Sequence, residues 1–198
     1  MKIVFASSNE GKVKEIKEML GEMEIELVSL KEYKDAPDII EDGNTFLENA
    51  LKKAKIISGF TGETVLADDS GLRVDELGGE PGIYSARYAG DKATDDDNID
   101  LLLVRLKNIP QEKRTAFFCC ALVLYRPNGS YDCFESNWHG LIIDERRGDN
   151  GFGYDPVFFV PELQKTAAEL PPEIKNKISH RGQAFAQLKK ALGERLNN

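Results

Sequence analysis

The 198-residue chain holds only three cysteines, two histidines and one tryptophan. Cys119, Cys120 and Cys133 are odd in number and two are adjacent inside an apolar run, so they outline no disulfide framework. They read as reduced thiols of a cytoplasmic protein. His139 and His180 are too few for a zinc site of the His/Cys kind. The longest apolar stretch, 116–125, is far short of the ~20 residues that span a bilayer. The opening MKIVFASSNEGK carries too short an apolar run for a signal peptide. Basic residues are outnumbered, 26 Lys and Arg against 34 Asp and Glu, a net charge of −8. That argues against non-specific binding to nucleic acid or to an anionic membrane. It leaves room for an anionic small substrate in a locally basic site. There is no internal repeat, low-complexity segment or long linker.

With 41% hydrophobic and 30% charged residues, the chain has the make-up of a globular protein, and its length suits one domain, 1–198, in two lobes. KIVFA (2–6) reads as a buried strand, followed by a helix with Val13, Ile16, Met19 and Leu20 on one face. Thr45 to Glu48 fits a capping box opening a helix to about Ser58, with Leu47, Ala50, Leu51 and Ala54 inward. TVLA (64–67) reads as a strand ending in Asp68-Asp69-Ser70-Gly71. Thr94 caps a helix carrying Ile99, Leu102, Leu103 and Leu106. The β-rich run 116–125 leads through Pro127-Asn128-Gly129, a hairpin turn, into a strand at 131–136. Further strands fit 141–144 and 156–160. A last helix starts near Gly182 with Phe185, Leu188, Leu192 and Leu196 inward. The tract 169–176, with Pro171-Pro172, reads as a mobile loop. Early strand–helix alternation and later hairpins predict an α/β fold, a mixed sheet with flanking helices.

Several motifs could carry chemistry. Ser7-Ser8-Asn9-Glu10-Gly11-Lys12 joins a strand to a helix N-terminus, where backbone N–H groups and the helix dipole attract anions. It is not a Walker A loop, because Val13 follows the lysine. The same residues also fit an ordinary N-cap with a solvated lysine. Asp68 and Asp69 are adjacent acids that must point in different directions. One could bind Mg²⁺ or Mn²⁺ while the other orients it or activates a water, with Glu41 a possible third oxygen donor. An Asp-Ser-Gly turn would explain them as well. The Gly-rich stretch 77–90 holds Tyr84, Arg87 and Tyr88, and reads as a folded loop lining a site or an interface. Asp95-Asp96-Asp97 reads as first-turn acids complementing a helix dipole, Glu48 as the capping acid, and His139 as structural. Gly151-Phe152-Gly153-Tyr154-Asp155-Pro156 places two rings between and beside glycines, as if a flat ligand lay on a ring with the backbone close by. Lys175 and Ser179-His180-Arg181 bring three potential cations before a helix, either to contact phosphate or a base edge or as a plain charged loop.

Together the motifs are far more specific. SSNEGKVKEI, EDGNTFLENALKKA, ADDSGLRVDELGGEPGIYSARYAG, GFGYDPVFFV and KTAAELPPEIKNKISHRGQAF cover nearly the whole chain. The sequence resembles the inosine/xanthosine triphosphate pyrophosphatase family, house-cleaning hydrolases of non-standard purine nucleoside triphosphates. The one mild departure is Ser7-Ser8-Asn9 where Thr-x-Asn is common. The resemblance implies a two-lobed α/β fold with a long mixed sheet and a substrate cleft between lobes. It implies a Mg²⁺-dependent, cytoplasmic homodimer, with Mn²⁺ a possible substitute, that cleaves ITP, dITP or XTP to a nucleoside monophosphate and pyrophosphate. On matching positions, Ser7, Ser8, Asn9, Glu10, Gly11 and Lys12 hold the phosphates with Lys53. Glu41 and Asp69 hold the metal, Asp68 lies close by, Asp69 accepts a proton and Ser70 touches substrate. Phe152, Gly153, Tyr154, Asp155, Lys175, His180 and Arg181 hold the nucleoside end. There Phe152 stacks on the purine, and Asp155 orients a cation or takes a ring N–H. Lys175, Arg181, protonated His180 and the amides near Phe152 donate to a 6-carbonyl. Two other readings are a non-catalytic nucleotide sensor, disfavoured by the retained acids and Lys12, and a septum-inhibitor-type pyrophosphatase. The second is disfavoured because Ser-x-Ser-Pro-Arg-Arg is absent near the N-terminus.

Overall fold

The computed structural model describes residues 1–196 except Glu22 and Glu24, and for 194–196 the backbone alone. In chain order the strands are β1 (Lys2–Phe5), β2 (Glu26–Ser29), β3 (Val65–Val74), β4 (Thr115–Tyr125), β5 (Tyr131–Ile142), β6 (Phe158–Val160) and β7 (Lys165–Thr166). The helices are α1 (Glu10–Leu20), α2 (Phe46–Thr61), α3 (Asp95–Leu106), α4 (Pro172–Ile178) and α5 (His180–Leu196). The strands form one seven-stranded sheet in the order β2-β1-β3-β4-β5-β6-β7. β1 runs parallel to β2 and β3, whereas β6 is antiparallel to β5 and β7, so the sheet is mixed, as expected.

The chain divides into two compact units. The first comprises 1–69, 120–136 and 181–198. Here the sheet is buried on both faces, which explains its near-continuous apolar strands. Ile3, Phe5, Leu66, Leu122 and Leu124 pack on one side with Ile16 of α1 and Phe185 and Leu188 of α5. Val4, Val65, Ala67, Ala121 and Val123 pack on the other with Ala50, Ala54 and Ile57 of α2. The side chain of Leu196 lies outside the described residues.

The second unit comprises 70–119 and 137–180. Its core joins Leu72 and Val74 of β3, Phe118 of β4, Trp138 and Ile142 of β5 and Phe158 of β6 to Ile99, Leu102 and Leu106 of α3. α3 starts in a full capping box: Asp97 N donates to Thr94 Oγ1 at 3.2 Å and Thr94 N to Asp97 Oδ2 at 2.8 Å.

Four expectations change. β3 does not end at Ala67 but continues to Val74, past the end of its pairing with β1 at Leu66, with β4 as its other neighbour in the sheet. The expected strands at 131–136 and 141–144 are one strand, β5. At α2 the capping box is half formed: Thr45 Oγ1 accepts from Glu48 N, but the Glu48 carboxylate takes the amide of Asn44 instead. The tract 169–176 is largely helical, since Pro172 sits in the first turn of α4, where a missing N–H costs nothing.

The capping box of α3 yields a prediction. Thr94→Ala should cost about 1 kcal/mol, or roughly 2–4 °C in Tm for a chain of this size. Adding Asp97→Ala should cost less than the sum of the single changes, because both remove one reciprocal motif. Calorimetry of the four proteins checks this.

Candidate active site

Period-2 alternation along β3 arranges the first unit's charges. Leu66 faces α1 and α5 while Val65 and Ala67 face α2, so Asp68 is directed to the first side and Asp69 to the second. Each acid then meets the cations of the helices covering its face.

On the α1–α5 side, Asp68 is fully buried. Its Oδ2 accepts from Lys12 Nζ at 3.0 Å and from Arg181 Nε and Nη2 at 3.3 and 3.1 Å. Arg181, also buried, gives Nη1 to Glu15 of α1. Lys12 and Glu15 lie three residues apart on one face of α1. Burial alone would raise the Asp68 carboxyl, but Lys12, Arg181 and Lys53 outweigh it and hold it well below the usual carboxylate range. The stability gained from that lowering is complete above the unfolded-state value of about 3.9 and is lost as pH falls further below it. The start of α1 is capped as expected: Asn9 Oδ1 accepts from Lys12 N at 3.0 Å, and Ser7 Oγ from Asn9 N at 3.2 Å. Ser8 is exposed and Gly11 lies in the first turn of α1. The carboxylate of Glu10 pairs with the exposed Lys31.

On the α2 side, Asn49 and Lys53 share a buried face of the helix at i and i+4. Asn49 Nδ2 donates to Asp69 Oδ2 at 3.0 Å. Lys53 Nζ lies 2.9 Å from Glu41 Oε1 and 3.6 Å from Asp69 Oδ1. Burial raises the Asp69 carboxyl, with Lys53 and Lys12 opposing. Lys53 is itself desolvated, yet Asp69, Asp68 and Glu41 keep its pKa above the ordinary value. Two carboxylates therefore converge on one cation. Among the described residues, no group of three or more His, Cys, Asp or Glu could hold a metal ion. Two carboxylates suit Mg²⁺, which commonly takes one or two from protein and completes its shell with water and substrate phosphate.

The second unit carries the loop 151–155. Phe152 is half-buried, and Lys175 Nζ lies 5.0 Å from its ring centroid. Asp155 Oδ2 accepts from Lys175 Nζ at 2.5 Å and from Phe152 N at 3.0 Å. Asp155 thus orients a cation, one of the two roles open to it. Gly151 is required by that carboxylate: its φ is +78°, and a Cβ there would stand 2.0 Å from Asp155 Oδ2. Tyr154 is buried in the core, its hydroxyl donating to Ser85 O at 2.8 Å. The amides of Phe152 and Gly153, expected as donors to a ligand carbonyl, are instead given to Asp155 and to Asp95. His180 is buried, its ring stacked on Phe118 at 4.8 Å and 14°. Ser70 is half-buried on β3.

Sequence reasoning did not single out Glu15 or Asn49, and it read Asp95 as a first-turn acid of a helix. For the first two the available signal was helical spacing, Glu15 one turn after Lys12 and Asn49 one turn before Lys53.

Glu15→Ala would leave Arg181 buried with Asp68 still beside it. We expect a loss of about 3 kcal/mol, at the low end for breaking a buried ion pair. That is a drop of roughly 6–12 °C in Tm at 2–4 °C per kcal/mol. Glu15→Gln, which keeps an acceptor, should lose less. Thermal unfolding at neutral pH checks both.

Comparison with known proteins gives the family. The Ham1 family profile matches residues 3–191. The dITP/XTP pyrophosphatase of Geobacter sulfurreducens is 50% identical over 192 residues, 97% of this chain and 96% of that protein. A HAM1 protein from Coxiella burnetii superposes with a TM-score of 0.89 at 45% identity, covering 98% of this chain and 99% of that one. A nucleoside-triphosphatase / dITP/XTP pyrophosphatase from Mycobacterium abscessus gives 0.75 at 44% identity, over 95% and 97%. With a profile match across almost its full length and relatives at half identity, the chain belongs to the Ham1 family.

Proposed function

We propose that this chain hydrolyses non-standard purine nucleoside triphosphates, dITP, ITP and XTP, to the nucleoside monophosphate and pyrophosphate, clearing them from the nucleotide pool. One observation carries the reading: adjacent buried acids on β3, each met by lysine, next to the capped N-terminus of α1. An array of this kind binds a triphosphate and moves a proton beside it. The half identity to dITP/XTP pyrophosphatases supports the substrate class.

The backbone N–H groups at the start of α1 and the Lys12 ammonium take phosphate oxygens, with Ser7, Ser8, Asn9, Glu10 and Gly11 shaping that corner and Lys53 adding charge. Glu41 and Asp69 would hold Mg²⁺, with Mn²⁺ as substitute. Bound there, the metal supplies charge neutralisation of the phosphates and a water of lowered pKa. Asp69 accepts the proton of the attacking water. Asn49 Nδ2 holds its Oδ2 at 3.0 Å. Burial raises this carboxyl above that of an ordinary aspartate, with Lys53 and Lys12 opposing. Asp68 anchors Lys12, and Ser70 touches the substrate. Phe152 stacks on the purine, and Lys175, held by Asp155, donates to its edge together with His180, while the Arg181 guanidinium is engaged by Asp68 and Glu15. Gly153 and Tyr154 complete that loop. A 6-carbonyl accepts from these donors, whereas the amino group of adenine would face donor with donor. The family resemblance adds a cytoplasmic homodimer. Cys119, Cys120 and Cys133 are free thiols, and sedimentation equilibrium tests the dimer. Among the described residues, no helix is long and apolar enough to cross a membrane.

The decisive measurement is pyrophosphate release from dITP, ITP and XTP against ATP and GTP with Mg²⁺ in excess. Preference for the first three, with GTP the best of the poor substrates, is expected. Hydrolysis of ATP as fast as ITP, or binding without turnover, would overturn the reading. Asp69→Asn should lower kcat by ~10²–10⁴-fold, as loss of a general base does, with the circular dichroism spectrum unchanged. Lys12→Ala should weaken dITP more than dIMP, because the charge it removes faces the phosphate tail.

A further inference from the structure

We propose that Asp95 is a positioning residue of the base site: its carboxylate, fixed at the start of α3, holds the loop 151–155 in the conformation that presents Phe152. The inference rests on the proposed role of that loop in receiving the purine.

The acidic run at the start of α3 looks like one feature in the sequence, three carboxylates at a helix N-terminus. In the structure each has its own partner. Asp97 closes the capping box with Thr94. Asp96 faces Arg146, at 3.5 Å from its Nε. Asp95 does neither. Its Oδ2 accepts the amide of Gly153 at 2.6 Å, across 58 residues of sequence. A carboxylate accepting a backbone N–H is among the stronger kinds of hydrogen bond.

That bond matters because of what else holds the loop. Residues 151–155 form no helix or strand. Gly151 and Gly153 both take left-handed φ, +78° and +60°, and a segment with two glycines has much conformational freedom to lose on ordering. The bond from Phe152 N to Asp155 Oδ2 is internal to the loop. Lys175 fixes Asp155, and Ser85 O fixes the Tyr154 hydroxyl. The ends of the segment are tied to Ala168, whose N–H donates to Asp155 O at 3.2 Å and whose carbonyl accepts from Asn150 N at 3.0 Å; between them, directly after Phe152, the backbone anchor is Asp95. It sits on a helix whose own apolar face, Ile99, Leu102 and Leu106, is fully packed. The loop backbone beside the stacking ring is therefore referenced to a rigid element, and an amide that could have bound a ligand carbonyl is committed to keeping the ring in place.

The experiment measures kcat and KM for dITP in the wild type, Asp95→Ala, Asp95→Asn, Asp96→Ala and Phe152→Ala, with hydrogen exchange of the 151–155 amides in each. Asp95→Ala should raise KM by ~3–10-fold, the range of one hydrogen bond, with kcat within about twofold and faster exchange at Gly153. Asp95→Asn keeps an acceptor oxygen and should restore most of both. Asp96→Ala removes an equivalent charge from the helix terminus and should leave KM and exchange unchanged. An unchanged KM in Asp95→Ala while Phe152→Ala raises it, or an equal rise in Asp96→Ala, overturns the inference and leaves the base site standing. If Phe152→Ala itself leaves KM unchanged, the reading of the loop as base site fails. Exchange at Gly153 in Asp95→Ala then decides on its own whether Asp95 holds the loop.

Discussion

The first unit is organised around the Asp68 carboxylate, buried without access to water and surrounded by positive charge. An isolated carboxylate in that place would cost several kcal/mol of lost hydration. It is tolerated because Lys12 and Arg181 converge on one of its oxygens, and Arg181 is balanced in turn by Glu15. These four side chains come from α1, β3 and α5, so the same contacts that neutralise the charge also tie three elements together. They also fix Lys12 at the mouth of the α1 N-terminus, where its charge adds to the helix dipole. The stability of the unit and the electrostatics of the proposed phosphate site are therefore one set of contacts.

Asp69 lives under opposite terms although it is the next residue. On the α2 face it has an amide, a lysine at 3.6 Å and another carboxylate sharing that lysine. The cation is divided and burial is nearly as deep, so the balance tips the other way and the carboxyl is raised. Two neighbouring aspartates with pKa values pushed apart can divide labour, one as a permanent anion and one as a proton acceptor. The second unit repeats the logic without a strand. Asp155 holds Lys175 close to the Phe152 ring, Asp95 holds the next amide, and a loop of glycines becomes a defined surface.

Much of this was legible in the chain. Apolar runs located β1, β4 and parts of β3, β5 and β6 but not β2 or β7, and capping residues at Asn9, Thr45 and Thr94 located three helix starts, because both signals are local. Family-wide motifs drew attention to Lys12, Lys53, Asp68, Asp69 and Phe152 before any geometry was known. Where the reading erred, the cause was also local. Asp-Asp-Ser-Gly looks like a turn, and within the sheet it is extended strand. Pro171-Pro172 looks like a break, and only the following residues make it a helix start.

The sequence by itself determined the α/β class, the periodicities and the identity of most charged residues in the site, since these follow from residue type and spacing. Tertiary structure alone decided which charges meet. Glu15 and Arg181 are separated by 166 residues, and Gly153 and Asp95 by 58. No local propensity encodes such pairs, because a buried charge takes its partner from whatever the fold brings within hydrogen-bond reach.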